Sequence, residues 1–392
     1  MIRVLLVHNR YRRRAGEDRS FEAERDLLGA DERVALTQHV VDSREIDDYG
    51  PLQKAAVPFR MTWSRRSAAA IDRILADSPA EIVHFHNTFP LISPAAYAAC
   101  RRRGAVVVQT VRNFRQFCAN GLFFRDGHVC EDCVGRVPQW PGVVHRCYHS
   151  SAAQSASVVA MQTVHSVRGT WRDGVDVYVV PTEFLGHKLA SLRLDRDRIV
   201  VKPDVVATTA ARGVGPRYHA AFVGRLTYEK GIFTLLSAWR RLTEIPLVIV
   251  GAGEEGPRVR AEIERGGLAD RVTLLGETSH GAALDVIRSA RFVVVPSLSY
   301  ETFGRIAVEA YACGTPVLAS RIGALAETVV EGETGLLVAP GDERELEAAA
   351  RRLWDDDTAA LTRRARAHYD AVYDPPIVHE QLVALYREIA GD

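Results

Sequence analysis

Residues 292–310 read Phe-Val-Val-Val-Pro-Ser-Leu-Ser-Tyr-Glu-Thr-Phe-Gly-Arg-Ile-Ala-Val-Glu-Ala. An unbroken apolar run ends at Pro296, a short polar loop carries Glu301, and helical periodicity starts near Gly304 and brings in Glu309. An apolar run without alternation is a strand covered on both faces, as in a parallel sheet between helices. A glycine at the helix start lets a diphosphate come close to the helix N-terminal N–H groups. Glu301 and Glu309 would stand about two turns apart, on the order of 12 Å if all were helix. That spacing suits a sugar at one end and a ribose at the other; the plainer reading is a surface acid and a helix-face acid.

The same strand–loop–helix pattern recurs upstream. Residues 219–231 read HAAFVGRLTYEKG, a strand followed by Gly224, Arg225, Lys230 and Gly231, with helical patterning over 232–242. Two cations beside a helix start match the charge of a departing diphosphate, although an Arg and a Lys in a loop are also ordinary solvated residues. Val250-Gly251-Ala252-Gly253 lacks the third glycine of the dinucleotide fingerprint, Gly256 being at the wrong spacing, so it reads as a tight turn. Leu274-Leu275-Gly276-Glu277 ends another strand. Its backbone at Leu275 and Glu277 is placed either to read a base edge or simply to turn.

Further strands are expected at 2–7, 34–40, 81–85, 105–110, 177–180, 247–250, 271–275 and 316–319, with helical stretches such as 66–76, 280–290, 343–368 and 377–390. The alternation occurs twice, and this predicts an α/β chain of two doubly wound, Rossmann-like domains facing a central cleft. The boundaries are 1–203 for the first domain, 204–218 for a linker, 219–370 for the second domain and 371–392 for a last helix. After Pro375-Pro376 that helix either packs on its own domain or crosses back to the first.

Composition bounds the function. The chain has 392 residues, 47% hydrophobic and 25% charged, enough for two cores, which excludes disorder and small stapled scaffolds. A net charge of +1 argues against a general nucleic-acid binder. Residues 1–200 carry 28 basic and 22 acidic side chains, and the rest carry 22 and 27. The asymmetry is either chance or a first half that faces an anionic substrate or membrane surface. Only four lysines occur, at 54, 188, 202 and 230. Val4–Val7 is too short for a signal-peptide core, and no run reaches the roughly 18 apolar residues of a span. A cytoplasmic protein is therefore expected, with peripheral association at the inner membrane face left open.

Cys118, Cys130, Cys133 and Cys147 have the spacing C-x11-C-x2-C-x13-C. They read either as ligands of one tetrahedral structural zinc or as thiols. Cys100 and Cys313 read as core residues of Ala-rich helices.

The segments FVGRLTYEKG and ETFGRIAVEAYACGTPVLAS, about 70 residues apart, resemble the retaining glycosyltransferases of family 4, which have the GT-B fold. The resemblance runs from about 219 to 340 and more loosely through VHNRYRRRAGEDRSFEAE, EIVHFHNTFPLISPAA and the Cys-rich RNFRQFCANGLFFRDGHVCEDC. It implies a nucleotide-diphosphate sugar donor, no metal for catalysis, and a last helix crossing back to the first domain. By the same resemblance Arg225 and Lys230 hold the diphosphate, Glu309 the ribose hydroxyls and Glu301 the donor sugar. Backbone at Phe303 and Gly304, beside Arg305, orients sugar and phosphate, and Gly16 belongs to a glycine loop near the reaction centre. The acceptor is a hydroxyl on a glycan, a lipid-linked molecule or a small molecule.

One position departs from the pattern. Arg112 stands after the strand ending at Thr110, where many relatives have His. An arginine cannot serve as a base at neutral pH, but it can hold a sugar hydroxyl or a phosphate. His86 and Asn113 are alternative polar contacts, and Arg12 and Arg13 are either solvated or touch an anionic acceptor. Two other readings stay open: a GT-B protein that binds nucleotide sugars without turnover, and an oxidoreductase using the Gly251 turn with Cys130 and Cys133.

Overall fold

The computed structural model describes residues 1–12, 16–206 and 217–391. Arg13 and most of the expected linker lie outside them. The chain divides into two compact units: Met1–Phe123 with Glu131–Val205 and Pro376–Asp392, and Phe124–Cys130 with Val206–Pro375.

In the first unit six parallel strands form one sheet. In chain order they are β1 (Ile2–Arg10), β2 (Val34–Asp42), β3 (Ile82–Asn87), β4 (Val106–Thr110), β5 (Val177–Val180) and β6 (Ile199–Val201). Their order across the sheet is β2-β1-β3-β4-β5-β6. β3, inside the sheet, is buried at every residue, whereas β2 at the edge is mostly half-exposed, as expected where helices cover both faces of a parallel sheet. β6 has only three residues after the charged turn Arg196–Arg198, and its pattern is too short to read from sequence.

The second unit repeats the plan. Its strands are β7 (His219–Val223), β8 (Leu247–Val250), β9 (Val272–Gly276), β10 (Ala290–Val295), β11 (Val317–Ser320) and β12 (Gly335–Val338). They lie in the order β9-β8-β7-β10-β11-β12, all parallel. The helical run expected over 343–368 is two helices, Glu343–Asp355 and Ala359–His368. Asp357 breaks it, because its side chain accepts the N–H of Ala359 and so restarts a helix.

The last helix, Pro375–Ala390, joins the core of the first unit. Leu382, Val383, Leu385 and Tyr386 pack with Ile2, Val4, Leu6 and Phe21. His379 Nε2 lies 2.7 Å from Asp31, and Arg33 donates to Glu380 through two nitrogens, at 3.0 and 2.5 Å.

Candidate functional site

Strand order in the second sheet reverses between β7 and β10, and loops at the carboxyl ends of two such strands form the usual ligand crevice of open α/β sheets. The loop after β7 is Gly224–Gly231 and the loop after β10 is Pro296–Gly304. This is why segments about 70 residues apart in sequence meet. The meeting is close: a Cβ on Gly231, at φ +71°, would lie 1.8 Å from the Pro296 carbonyl oxygen. The Leu298 N–H donates to the Glu229 carbonyl at 2.8 Å. The Gly251–Gly253 turn supports the first loop, its Ala252 carbonyl accepting the Leu226 N–H at 3.0 Å.

Two polar clusters stand on these loops. Lys230 Nζ lies 2.6 Å from Glu301 Oε1, and the Ser297 hydroxyl donates to the same oxygen at 2.6 Å. Burial pushes the Glu301 carboxyl up, but the Lys230 ammonium, the Ser297 hydrogen bond and the field of Arg225 outweigh it and hold the group below its ordinary value. Lys230 has three donors and spends one on Glu301. Arg225 contacts Glu229 at 3.3 Å, yet its side chain is 63% exposed. Glu229 is fixed in turn by the Thr227 hydroxyl at 2.7 Å.

In the second cluster Glu309 is buried on helix Arg305–Ala312, for which Gly304 is the N-cap at φ +77°. Glu309 Oε1 lies 3.1 Å from both Arg305 Nε and His280 Nε2. Phe303 is buried, its ring 6.0 Å from that of Tyr373, and its carbonyl is taken by the Thr328 hydroxyl at 2.9 Å. Leu275 and Glu277 stand exposed where β9 ends.

The first unit holds a second polar constellation at its strand ends. Arg112 is buried, so a solvated side chain is not what the structure has. Its Nε lies 2.8 Å from Asp204 and its Nη1 2.9 Å from His86 Nδ1. His86 Nε2 then faces Glu24 at 3.2 Å, and Lys202 donates to the other Glu24 oxygen at 2.8 Å. Asp204, Arg112, His86, Glu24 and Lys202 thus form one buried chain of two anions and two cations around a neutral imidazole. Burial pulls His86 down to about 4, the Arg112 charge adding to this and Glu24 opposing it. Burial also pushes Glu24 up, but Lys202 and His86 hold its carboxyl well below the ordinary range.

Glu24, His84 and His86 have ligand atoms within 4.8 Å of one another. They are not a metal site: Lys202 already occupies Glu24, and the His84 nitrogens each sit 2.6 Å from a hydroxyl, of Tyr386 and Thr110.

Beside this chain Asn113 Nδ2 donates to Glu17 at 2.9 Å, and the Tyr11 hydroxyl lies 3.2 Å from the other oxygen. Burial raises the Glu17 carboxyl, with Asn113 and Arg112 opposing. Gly16 opens the helix Gly16–Gly29 that carries Glu17 and Glu24. His86, Arg112 and Asn113 also line a small open pocket of about 60 Å³, walled by Met61, Phe89, Tyr97, Arg115, Met161 and Trp171. Arg12 is exposed and pairs with Asp47 at 3.2 Å.

Among the described residues the cysteines of the Cys-rich segment do not form a group of three ligand atoms within 4.8 Å of one another; Cys133 and the backbone of Cys147 are neighbours of Gly142. Its carbonyl accepts the Cys147 N–H at 3.0 Å, and a Cβ there would lie 3.8 Å from Cys133 Sγ and 3.1 Å from Ala119, the neighbour of Cys118. Cys118 Sγ donates to Asn120 at 3.0 Å. Cys130 ends the segment Phe124–Cys130, which is grouped with the second unit.

Sequence reasoning singled out Lys230, Glu301, Arg225 and Glu309 but missed Ser297 and His280 beside them. It also missed Glu17, Glu24, Lys202 and Asp204. One signal for Lys202 was available, since it is one of only four lysines. The acids carried none, because nothing local separates a buried carboxylate from a surface one.

Residues 214–370 match the family described as "Glycosyl transferases group 1". Among curated proteins, a glycogen synthase of Mycobacterium tuberculosis is 36% identical over 190 residues, 47% of this chain and 45% of that protein. A D-inositol 3-phosphate glycosyltransferase of Mycolicibacterium smegmatis is 34% identical over 238 residues, 56% of this chain and 54% of that protein. The chain spans about half the length of the curated relatives it matches. Among solved structures, a sucrose-phosphate synthase from Thermosynechococcus elongatus aligns with a TM-score of 0.71 at 21% identity, covering 99% of both chains. Anabaena HepE in complex with UDP-glucose aligns with a TM-score of 0.69 at 14% identity, covering 98% of this chain and 99% of that one. The two parallel-sheet, Rossmann-like units are those of the GT-B fold.

Proposed function

We propose that this protein is a retaining glycosyltransferase that moves a sugar from a nucleotide-diphosphate sugar to a hydroxyl on a glycan, a lipid-linked molecule or a small molecule. The observation that carries the reading is the Lys230–Glu301 pair at the β7/β10 reversal, with the exposed Arg225 on the same loop. Lys230 and Arg225 stabilise the charge that develops on the leaving diphosphate, and the N-terminus of helix Arg305–Ala312 adds its N–H groups. Glu309, oriented by Arg305 and His280, accepts from the ribose hydroxyls. Glu301 faces the donor sugar. As the bond from the anomeric carbon to the phosphate oxygen breaks, the acceptor oxygen attacks the same face, and its proton passes to the departing phosphate. Arg112 is a positioning residue in this scheme, because its Nε and Nη1 are held by Asp204 and His86. Asn113 and the pocket beside His86 offer polar contacts to the acceptor. No metal takes part in the reaction. The C-x11-C-x2-C-x13-C spacing is what supports one structural zinc, which elemental analysis of the purified protein would detect at near one equivalent.

The test is incubation with a panel of UDP-, GDP- and ADP-sugars, following nucleotide release and the anomeric configuration of the product. The expected result is slow release from one donor class, and Lys230→Ala should lower turnover ~100-fold with little change in donor affinity. Tight donor binding without any release would identify a binding protein instead, and an inverted product would remove the retaining mechanism.

A further inference from the structure

The segment after β4 carries an arginine that the donor chemistry leaves unused. Arg115 lines the pocket beside His86, and its backbone is fixed on both sides. Its N–H donates to Asn113 Oδ1 at 2.9 Å, and its carbonyl accepts from Gln162 Nε2 at 2.8 Å. The ring centres of Phe89 and Tyr148 lie 4.9 and 5.0 Å from its guanidinium carbon. Nη1 donates to the Ala119 carbonyl. Nε and Nη2 have no hydrogen-bond partner among the described residues, and no described carboxylate pairs with the group. A Cβ on Gly121, at φ +76°, would lie 3.3 Å from Nη2 and 3.5 Å from Nε, so glycine there keeps a side chain off this edge.

The surroundings give the pocket a charge preference. Two arginines line it and no Asp or Glu does. Arg112 is already paired with Asp204, which leaves Arg115 as the cation without an acid among the described residues. Met61, Tyr97, Met161 and Trp171 make much of the wall, and such walls strengthen the field of a charge inside them. Gln116 also lines the pocket, and its Oε1 is buried without a hydrogen-bond partner. A buried carbonyl in that state is costly until a donor reaches it.

We propose that this pocket binds an anionic group of the acceptor, a phosphate monoester or a carboxylate, side-on to Nε and Nη2 of Arg115, with Gln116 Oε1 accepting from a hydroxyl beside it. Nε and Nη2 form one edge of the guanidinium fork, whose parallel N–H bonds match two oxygens of one anion. A neutral sugar hydroxyl would use only one of them. The flanking rings already hold the arginine, so little side-chain freedom is lost on binding. The inference deepens the transferase reading by naming the acceptor class and rests on that reading, but the anion preference is measured without turnover.

The test is calorimetric titration of the full chain, without donor, with glucose, glucose 6-phosphate and glucuronate, which share a ring and differ at carbon 6. At least one anionic sugar should bind ~10–100-fold more tightly than glucose, the range of a hydrogen bond to a charged group. Which one does so separates phosphate from carboxylate. Arg115→Gln should bring it down to the affinity of glucose. Arg115→Lys keeps the charge but offers no fork, and should retain only part of the preference. A melt of each variant checks that it folds, and the wild-type comparison needs no variant. Equal binding of all three sugars, no binding of either anionic sugar, or a preference that Arg115→Gln leaves intact overturns the proposal. Nucleotide release from a donor with no anion preference keeps the transferase reading and removes this one. An anion preference with no release from any donor removes the transferase reading and leaves an anion-binding pocket.

Discussion

Glu301 stays charged because Lys230 and Ser297 address the same carboxylate oxygen, and this gives the pair a pH signature. In the wild type the depressed carboxyl contributes stability that is present above the unfolded-state value and is lost as pH falls through the folded-state value. Lys230→Ala leaves burial opposed only by Ser297 and the field of Arg225, so the carboxyl rises. The variant should lose about 1–3 kcal/mol at neutral pH, and the gap should narrow towards acid pH. Urea unfolding at stepped pH measures this; a gap independent of pH would mean that Lys230 does not hold the Glu301 charge. His86 works with the same sign. Its folded value of about 4 lies below the unfolded value near 6.5. The neutral ring therefore contributes stability above pH ~6.5, worth roughly 3 kcal/mol, which is lost as pH falls towards 4. His86→Gln should flatten that limb of the stability–pH curve. An unchanged slope between pH ~6 and ~4 would show that the ring is not held neutral by its surroundings.

At the scale of elements, the last helix shows what a chain end can do for a distant core. Leu382, Val383, Leu385 and Tyr386 are buried among residues of β1 and helix Gly16–Gly29. Burying such side chains stabilises by about 1.5–3 kcal/mol each, which together approaches the whole stability of an ordinary domain. Truncation after Asp374 should therefore unfold the first unit while leaving the second sheet folded, as amide exchange would report. Tyr386→Phe is the milder probe: it keeps the packing, removes the 2.6 Å contact to His84, and should cost about 1–2 kcal/mol. Native-like exchange protection in β1 after truncation would contradict this account. The amphipathic pattern of 377–390 was legible in the sequence, but which core it joins followed from the family resemblance and not from the pattern. Periodicity shows that a helix has an apolar face and does not name the partner for it. The break at Asp356–Thr358 was missed for a related reason, since the local bond from the Ala359 N–H to the Asp357 side chain competes with helix continuation only through local geometry.

Across the whole molecule, the two sheets were legible because unbroken apolar runs separated by helical periods admit few arrangements. The donor loops were legible because glycines and cations punctuate strand ends there. The buried chain from Asp204 to Lys202 was not, because its members sit on helix Gly16–Gly29, β3, the turn after β4 and the end of β6, and only the folded sheet brings them together. Each unit also has a core of its own, so a ligand held by the second unit alone should stabilise that unit. A nucleotide sugar at 100 times its Kd adds about 2.7 kcal/mol to the state that binds it. In calorimetry or amide exchange that gain should appear in β7 and β10 and in the helix carrying Glu309. Glu309→Ala should cut it to about half or less at the same concentration, since a charged hydrogen-bonding partner to the ribose is worth about 1.5–3 kcal/mol. NAD(P) should give no such gain. The Gly251–Gly253 turn lacks the third fingerprint glycine, and its backbone is spent on the first loop: a Cβ on Gly251 would lie 1.8 Å from the Gly224 carbonyl oxygen. Protection of β7 and β10 by NAD(P), with none from any sugar nucleotide, would instead assign the second unit to oxidoreductase chemistry.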